Sequence, residues 1–123
     1  MCIRDRFTAL SRELGMNVLV ETHTAEEIER AIAAEARIIG VNVRNLKTLD
    51  VDRSVFADLA GGIPAGALVI AESGVRGVDD VRHYAANGAN AVLVGEALVS
   101  DATPRERIAE FMAAGAQEIA ARS

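Results

Sequence analysis

Acidic side chains stand directly after runs of apolar residues at two places in the sequence. Glu21 ends the run NVLVE, and Glu72 ends the run ALVIAE. A carboxylate in such a position can accept a proton in acid–base chemistry. Glu21 is equally well explained as a solvated carboxylate that interacts with the dipole of the following helix. Glu72 is harder to explain that way, because a carboxylate at the mouth of a buried run needs a partner.

Residues suited to binding anions follow the same kind of run. Arg44, two residues after Asn42, could hold a planar carboxylate through two parallel hydrogen bonds, or could be a surface arginine in a loop. Gly74, after Ser73, and Gly95 would let backbone N–H groups approach a phosphate. A glycine after a strand more often belongs to a turn, but two in successive units favour a phosphate site.

The elements that must position these residues alternate along the chain. Four short runs are rich in Val, Ile and Leu without polar alternation, as is typical of parallel strands buried on both faces: residues 17–21, 37–42, 67–72 and 91–95. Apolar residues at helical spacing predict helices between and after them: residues 24–36, 52–60, 78–88 and a segment from Pro104, with the end of an earlier helix over about 8–14. Capping boxes are predicted at Thr24–Glu27 and Thr103–Glu106.

Such an order predicts an α/β protein with a parallel sheet and right-handed crossovers. The pattern leaves two architectures open. One is a small doubly wound sheet, and the other is half of an eight-unit barrel that needs about 250 residues to close. In both, ligands meet the carboxyl ends of the strands, which is where the polar residues stand.

Composition restricts the classes of function. The 123 residues are 50% hydrophobic, 25% charged and 3% aromatic, with a formal charge of −5, which is typical of one globular domain and unfavourable for nucleic-acid binding. The longest uninterrupted apolar stretch is far below the ~20 residues that span a bilayer, so we expect no membrane association and a cytoplasmic location. A single cysteine and two distant histidines predict neither a disulfide nor a structural metal site.

Four motifs, in order, carry a resemblance to a known family: LGMNVLVETHT, IIGVNVRNLKT, VIAESGV and AVLVGEAL. They resemble the second half of indole-3-glycerol phosphate synthase, a (β/α)8 barrel enzyme. The resemblance implies a parallel (β/α)4 half of a TIM barrel with a preceding helix. It also implies a ring closure that forms indole glycerol phosphate with loss of carbon dioxide and water, on a phosphorylated small molecule and without cofactor or metal.

Carried over position by position, the resemblance assigns roles to eight residues. It implies catalysis by Glu21, Asn42 and Glu72, substrate binding by Arg44 and Ser73, and phosphate binding by Gly74, Gly95 and Glu96. A carboxylate at Glu96 would repel a phosphate unless it pointed away.

The chain departs from the family pattern at its start. The family's catalytic lysines lie on earlier strands, and the only lysine here, Lys47, lies in a different loop. We therefore expect the isolated chain to be inactive and to self-associate through exposed sheet edges. Residues 1–6 match nothing in the family and are expected to be non-native, with 7–123 forming the C-terminal half-barrel. The alternatives are a non-catalytic phosphate-binding half-barrel and a piece of another phosphate-binding barrel.

Overall fold

A computed structural model describes residues 2–123 as one parallel sheet with helices between its strands. The strands are β1 (Leu19–Thr22), β2 (Ile38–Asn42), β3 (Leu68–Glu72) and β4 (Ala91–Leu93). The helices are α1 (Ile3–Glu13), α2 (Ala25–Ala33), α3 (Phe56–Gly61, after a 3-10 turn over Arg53–Val55), α4 (Val78–Ala86), α5 (Glu96–Val99) and α6 (Pro104–Arg122). None of the helices described is long and apolar enough to cross a membrane.

The strands follow one another across the sheet in chain order, β1-β2-β3-β4, and every neighbouring pair is parallel. The predicted alternation of strands and helices is therefore confirmed. The bounds differ most at the two edges, where β1 covers Leu19–Thr22 and not 17–21, and β4 ends at Leu93 and not at 95; β2 and β3 each begin one residue later than predicted. A strand is defined by its ladder partners, and the edge strands have a partner on one side only.

The two faces of the sheet have different surroundings. Side chains alternate between the faces along each strand, so Ile39 and Val69 face one way and Leu68 the other. Ile39 is fully buried, whereas Leu68 is 52% exposed. The buried face packs against helical side chains such as Phe56 and Phe111. Helices on one face only, together with the strand order, identify half of a (β/α)8 barrel, because a doubly wound sheet carries helices on both faces.

Helix α1 begins at Ile3 and ends at Glu13, within the segment where the sequence pattern indicates the end of a helix. Thr8 is buried, and its hydroxyl donates to the Arg4 carbonyl at 2.9 Å. The apolar side chains of the helix and the turn after it lie in solvent: Ile3, Phe7, Leu10, Leu14 and Met16. Helix α1 therefore presents an apolar stripe that nothing in residues 2–123 covers.

The two predicted capping boxes had different outcomes. The Thr24 hydroxyl accepts the amide of Glu27 at 3.2 Å, as predicted, but the Glu27 carboxylate returns to the amide of His23 instead of Thr24. The box at Thr103 is wrong, because that side chain caps nothing. Asp101 accepts the Thr103 amide at 2.8 Å and fixes the turn before Pro104 in its place.

Candidate active site

An open cavity of about 810 Å³ lies at the carboxyl ends of the strands. Seven of the eight residues singled out in the sequence line it: Asn42, Arg44, Glu72, Ser73, Gly74, Gly95 and Glu96. The eighth, Glu21, lies beside the cavity and contacts Asn42. The parallel register explains the convergence, because it sets Asn42 of β2 directly opposite Glu72 of β3.

The amide of Asn42 links the first two strands. Its Nδ2 donates to Oε1 of Glu21 at 3.2 Å, and its Oδ1 accepts the backbone N–H of Arg44 at 3.0 Å. The second bond fixes which end of the amide faces the carboxylate, since the oxygen is already engaged. Asn42 therefore presents a donor, and not an acceptor, to Glu21.

Glu72 is almost fully buried, and its carboxyl group lies over the backbone of β2. A Cβ atom added to Gly40 would stand only 1.9 Å from Oε1 of Glu72, so the side chain occupies the space that a larger residue on β2 would fill. Oε1 has no hydrogen-bond partner within residues 2–123. Burial, and then the neighbouring Glu21, raise the pKa of Glu72 to about 7.

Glu21 has the opposite shift. A hydrogen bond from the Glu72 carboxyl is the largest cause that lowers the pKa of Glu21, and Asn42 and His23 lower it further, against a partial desolvation that raises it. Two carboxylates side by side repel each other, so one proton shared between them favours the arrangement in which Glu72 carries it. Protonated Glu72 can then donate a hydrogen bond to Glu21. The pair thus combines an ionised carboxylate with a neutral acid.

The loop between β3 and α4 has an unusual backbone. Ser73 and Gly74 both adopt left-handed conformations, with φ of 68° and 79°. A side chain at Gly74 would be strained and would also meet the Tyr84 hydroxyl and a Val51 methyl, each at 2.8 Å. This position therefore requires glycine for both backbone and space.

Gly95 and Glu96 lie at the start of the short helix α5. Gly95 has a negative φ, and a Cβ atom there would meet nothing within 4 Å. In the described chain its glycine is therefore not required sterically. Glu96 is exposed at the rim of the cavity.

Three residues at this end of the sheet were not found by sequence reasoning. Nε2 of His23 lies 3.3 Å from Glu21, and Nδ1 lies 3.4 Å from Glu27. Arg53 and Arg76 line the cavity. For His23 a signal existed, because it stands two residues after Glu21 and four before Glu27. For the arginines no spacing in the sequence indicated the cavity.

The arrangement places the two carboxyl groups at the edge of a large, open cavity that is also lined by arginine side chains. Arg44 lies in the same cavity as the Gly74 loop, so a ligand with a carboxylate at one end and a phosphate at the other could contact both. Within residues 2–123, no group of three or more His, Cys, Asp or Glu side chains is arranged to hold a metal ion.

Comparisons with known proteins give a consistent family. The family model described as indole-3-glycerol phosphate synthase matches residues 4–111. A protein named indole-3-glycerol phosphate synthase from Arthrobacter sp. (strain FB24) is 84% identical over 120 residues, and one from Paenarthrobacter aurescens (strain TC1) is 77% identical over 117. These matches cover 98% and 95% of this chain but only 44% and 43% of those relatives, so the chain spans less than half of their length.

Solved structures with low sequence identity share the fold. A thiamine phosphate pyrophosphorylase from Pyrococcus furiosus superposes with a TM-score of 0.78 at 15% identity, over 97% of this chain and 56% of that one. A structure described as native KDPGal gives a TM-score of 0.74 at 18% identity, over 96% and 57% of the two chains. At these identities the likeness concerns the fold alone.

Proposed function

The chain belongs to the indole-3-glycerol phosphate synthase family, and on that premise we propose that it supplies one half of an active site that closes the indole ring. The reaction is that of a carboxy-lyase of tryptophan biosynthesis, acting in the cytoplasm. It converts 1-(2-carboxyphenylamino)-1-deoxyribulose 5-phosphate to indole-3-glycerol phosphate with loss of carbon dioxide and water. In this proposal residues 7–123 are the C-terminal half-barrel.

The carboxyl pair is the observation that carries the proposal. Ring closure with loss of water requires a base that accepts a proton from the substrate. Glu21 suits this role because its pKa is lowered, which keeps it ionised, and because Asn42 holds its position. Glu72 suits a neutral role beside it, since a second carboxylate would raise the pKa of the base and repel the substrate carboxylate.

Substrate binding is assigned to the remaining residues around the cavity. Arg44 would hold the carboxylate that leaves as carbon dioxide, and Ser73 would contact the substrate beside Glu72. The backbone at Gly74 and Gly95 would bind the phosphate. Glu96 would contribute through its backbone N–H, because its exposed carboxylate can turn to solvent. Fixing both ends of the substrate aligns the reacting atoms, which is a large part of catalysis in a two-ended site.

The family's cationic acid has no counterpart in this half, and the proton of Glu72 is engaged by Glu21. Expulsion of water requires an acid that protonates an oxygen, and Lys47, the only lysine, is exposed in the loop after β2. In this proposal the acid comes from outside residues 2–123, and the first half of a related synthase is the natural source. Without it we expect the isolated chain to bind phosphorylated ligands weakly and to turn none over.

A reconstitution experiment tests the proposal. The chain alone should show no ring closure and should gain it when a separately made first half of a related synthase is added. In the pair, Glu21→Gln should lower the rate by about a hundredfold to ten-thousandfold, because it keeps the shape and removes the base. The matched control, Glu26→Gln on the exposed face of α2, should leave the rate unchanged. Turnover by the chain alone, above that of its Glu21→Gln variant, would refute the missing acid, and no turnover in the pair would favour a non-catalytic binding half-barrel.

Self-association is the second part of the proposal. The edge strands β1 and β4 each leave one row of backbone groups unpaired, and Leu19, Leu68 and Leu93 are exposed on the open face. Pairing with a second copy would cover both features. We propose that the isolated chain associates with itself through these edges and this face.

A further inference from the structure

The left-handed loop after β3 is held from behind by two side chains that reach it from different helical segments. The Tyr84 hydroxyl of α4 donates to the carbonyl of Ser73 at 3.1 Å. Nε of Arg53, from the 3-10 turn before α3, donates to the carbonyl of Gly74 at 2.5 Å. Two consecutive carbonyls are therefore fixed on the side of the loop that faces the helices.

We infer that Arg53 and Tyr84 are positioning residues that turn the amides of Gly74 and Val75 toward the cavity, where they bind the phosphate of a ligand. In a trans peptide the C=O and the N–H point in opposite directions. Holding the carbonyls of Ser73 and Gly74 on the helix side therefore directs the next two N–H groups to the other side. The inference rests on the proposed function, which makes this loop a phosphate site.

The two amides are available for a ligand. Neither the Gly74 nor the Val75 N–H donates to another group within residues 2–123. The next amide, that of Arg76, is already used, since it donates to Asp80 at 2.9 Å. The two free N–H groups, of Gly74 and Val75, thus belong to the same two peptides whose carbonyls Tyr84 and Arg53 hold.

Both positioning side chains are themselves tightly placed. The Tyr84 ring is fully buried and meets Phe56 edge-on, with ring centroids 4.8 Å apart. Arg53 is 3.1 Å from Asp80, and its backbone carbonyl lies 3.1 Å from Nε2 of His83. A donor that is held by its own partners loses little freedom when it holds the loop.

Arg53 acts on the loop through its hydrogen bond to the Gly74 carbonyl more than through its positive charge. Asp80 lies between the guanidinium groups of Arg53 and Arg76, at 3.1 Å and 3.2 Å, and offsets part of their positive charge. The loop also has little room to shift, because the Tyr84 hydroxyl and Val51 fill the space beside Gly74. The packing therefore keeps the loop in place when a hydrogen bond is lost. What changes is the orientation of one peptide plane, which is no longer held by its carbonyl.

Nuclear magnetic resonance of the full chain tests the inference through three variants. Tyr84→Phe removes the hydroxyl and keeps the ring, and Arg53→Met removes the donors and keeps the length. Arg53→Lys restores one donor and the charge. Arg82→Met is the matched control, because Arg82 is exposed on α4 and pairs only with exposed Asp79 at 3.6 Å.

The first measurement uses no ligand. Residual dipolar couplings report the orientation of the Gly74 and Val75 N–H bonds. We expect Tyr84→Phe to change the coupling at Gly74 and Arg53→Met to change that at Val75, with partial recovery in Arg53→Lys and none of these changes in Arg82→Met. Unchanged couplings elsewhere show that a variant is folded. Wild-type couplings in both Tyr84→Phe and Arg53→Met would overturn the inference, and if Tyr84→Phe does not fold, the two Arg53 variants decide it.

The second measurement is a titration with inorganic phosphate. Wild type should show shifts of the Gly74 and Val75 amide signals, and each of Tyr84→Phe and Arg53→Met should bind about threefold to tenfold more weakly, the effect of one lost hydrogen bond. Altered couplings with unaltered phosphate affinity would also overturn the inference. If phosphate shifts no amide in wild type, the phosphate site itself is refuted, whereas the ligand-free couplings still report whether the two side chains orient the loop.

Discussion

The two faces of the sheet are built from alternate residues of the same strands, but one face forms the core and the other is open to solvent below the candidate site. On the covered face, small and branched apolar side chains such as Ile39 and Val69 are buried against the helices. On the open face, leucines lie in solvent below a polar rim that holds Glu21 and Glu72. Residues that stabilise the fold and residues that line the candidate site therefore alternate along each strand. A shift of a strand by one position would exchange the two sets between the faces.

The largest expected effect breaks the covered face. Ile39→Ala should lower the free energy of unfolding by about 2–5 kcal/mol, because it removes a fully buried side chain that the core cannot refill. Leu68→Ala, one strand away on the open face, should change it by no more than about 0.5 kcal/mol. Urea denaturation of both variants makes the measurement. Both variants are measured at concentrations where the chain is monomeric, so equal losses would mean that the open face is packed within a single chain.

The second prediction concerns the buried acid at the rim of the open face. Below its ordinary pKa of 4.5, Glu72 is protonated in both the folded and the unfolded chain. As the pH rises to about 7, the unfolded chain releases this proton while the folded chain keeps it, so the free energy of unfolding falls. Glu72→Gln does not titrate, so relative to wild type it should gain up to about 3 kcal/mol across that pH range.

Denaturation at a series of pH values measures this gain. Glu21→Gln serves as a comparison, because the lowered pKa of Glu21 gives stability that is present above its ordinary pKa and is lost as the pH falls. A Glu72→Gln variant whose stability follows that of wild type between pH 4.5 and pH 7 would contradict the raised pKa.

The third prediction tests whether the open face is the one that associates. Leu68→Glu and Leu93→Glu should each weaken self-association by about tenfold to a hundredfold, the effect of a leucine that is no longer buried on pairing. Val99→Glu is the control, because Val99 is more exposed but lies on α5. Sedimentation velocity at several concentrations makes the measurement. A wild-type chain that sediments as a monomer throughout would refute association.

The smallest effect concerns the hydrogen bond at the polar rim. Asn42→Ala removes the donor to Glu21, so the pKa of Glu21 should rise while the free energy of unfolding changes by about 0.5–1.5 kcal/mol. Carbon-13 spectra of the carboxyl groups follow the titration, with the exposed Glu26 as an internal control. An unchanged pKa of Glu21 would assign its ionisation to Glu72 and His23 alone.

Sequence reasoning found the site where one strong pattern applied. Glu72 and Asn42 follow apolar runs, and in a parallel sheet the ends of such runs converge, so their meeting could be predicted. Whether the two glutamates share a proton could not, because that depends on the space above Gly40 into which the Glu72 side chain folds. The α/β class with a parallel sheet was predictable for the same reason as the site, since it depends on periodicity, whereas the half-barrel was implied only by the family resemblance.

What sequence reasoning missed depends on side chains that reach across the fold. Arg53 contacts a carbonyl 21 residues away, and its position in the sequence resembles that of any arginine at a helix start. Thr103 satisfied the capping pattern, but Asp101 competed successfully for its amide. Local patterns identify which groups can bond, and the packing of distant elements decides which of them do. The roles of the eight site residues stay predictions until the variants are measured.

The strand order has a consequence for how the chain folds. Each strand pairs only with its neighbours in the sequence, about 20 to 30 residues away, so no contact in the sheet requires the closure of a loop across the whole molecule. Folding can begin at one pair of strands and extend outward unit by unit. β2 and β3, joined by the longest ladder, form the natural starting point, and β4 with three paired residues joins last. Amide exchange with deuterium should therefore be slowest in the middle of the sheet and fastest at the strand that leads to Gly95.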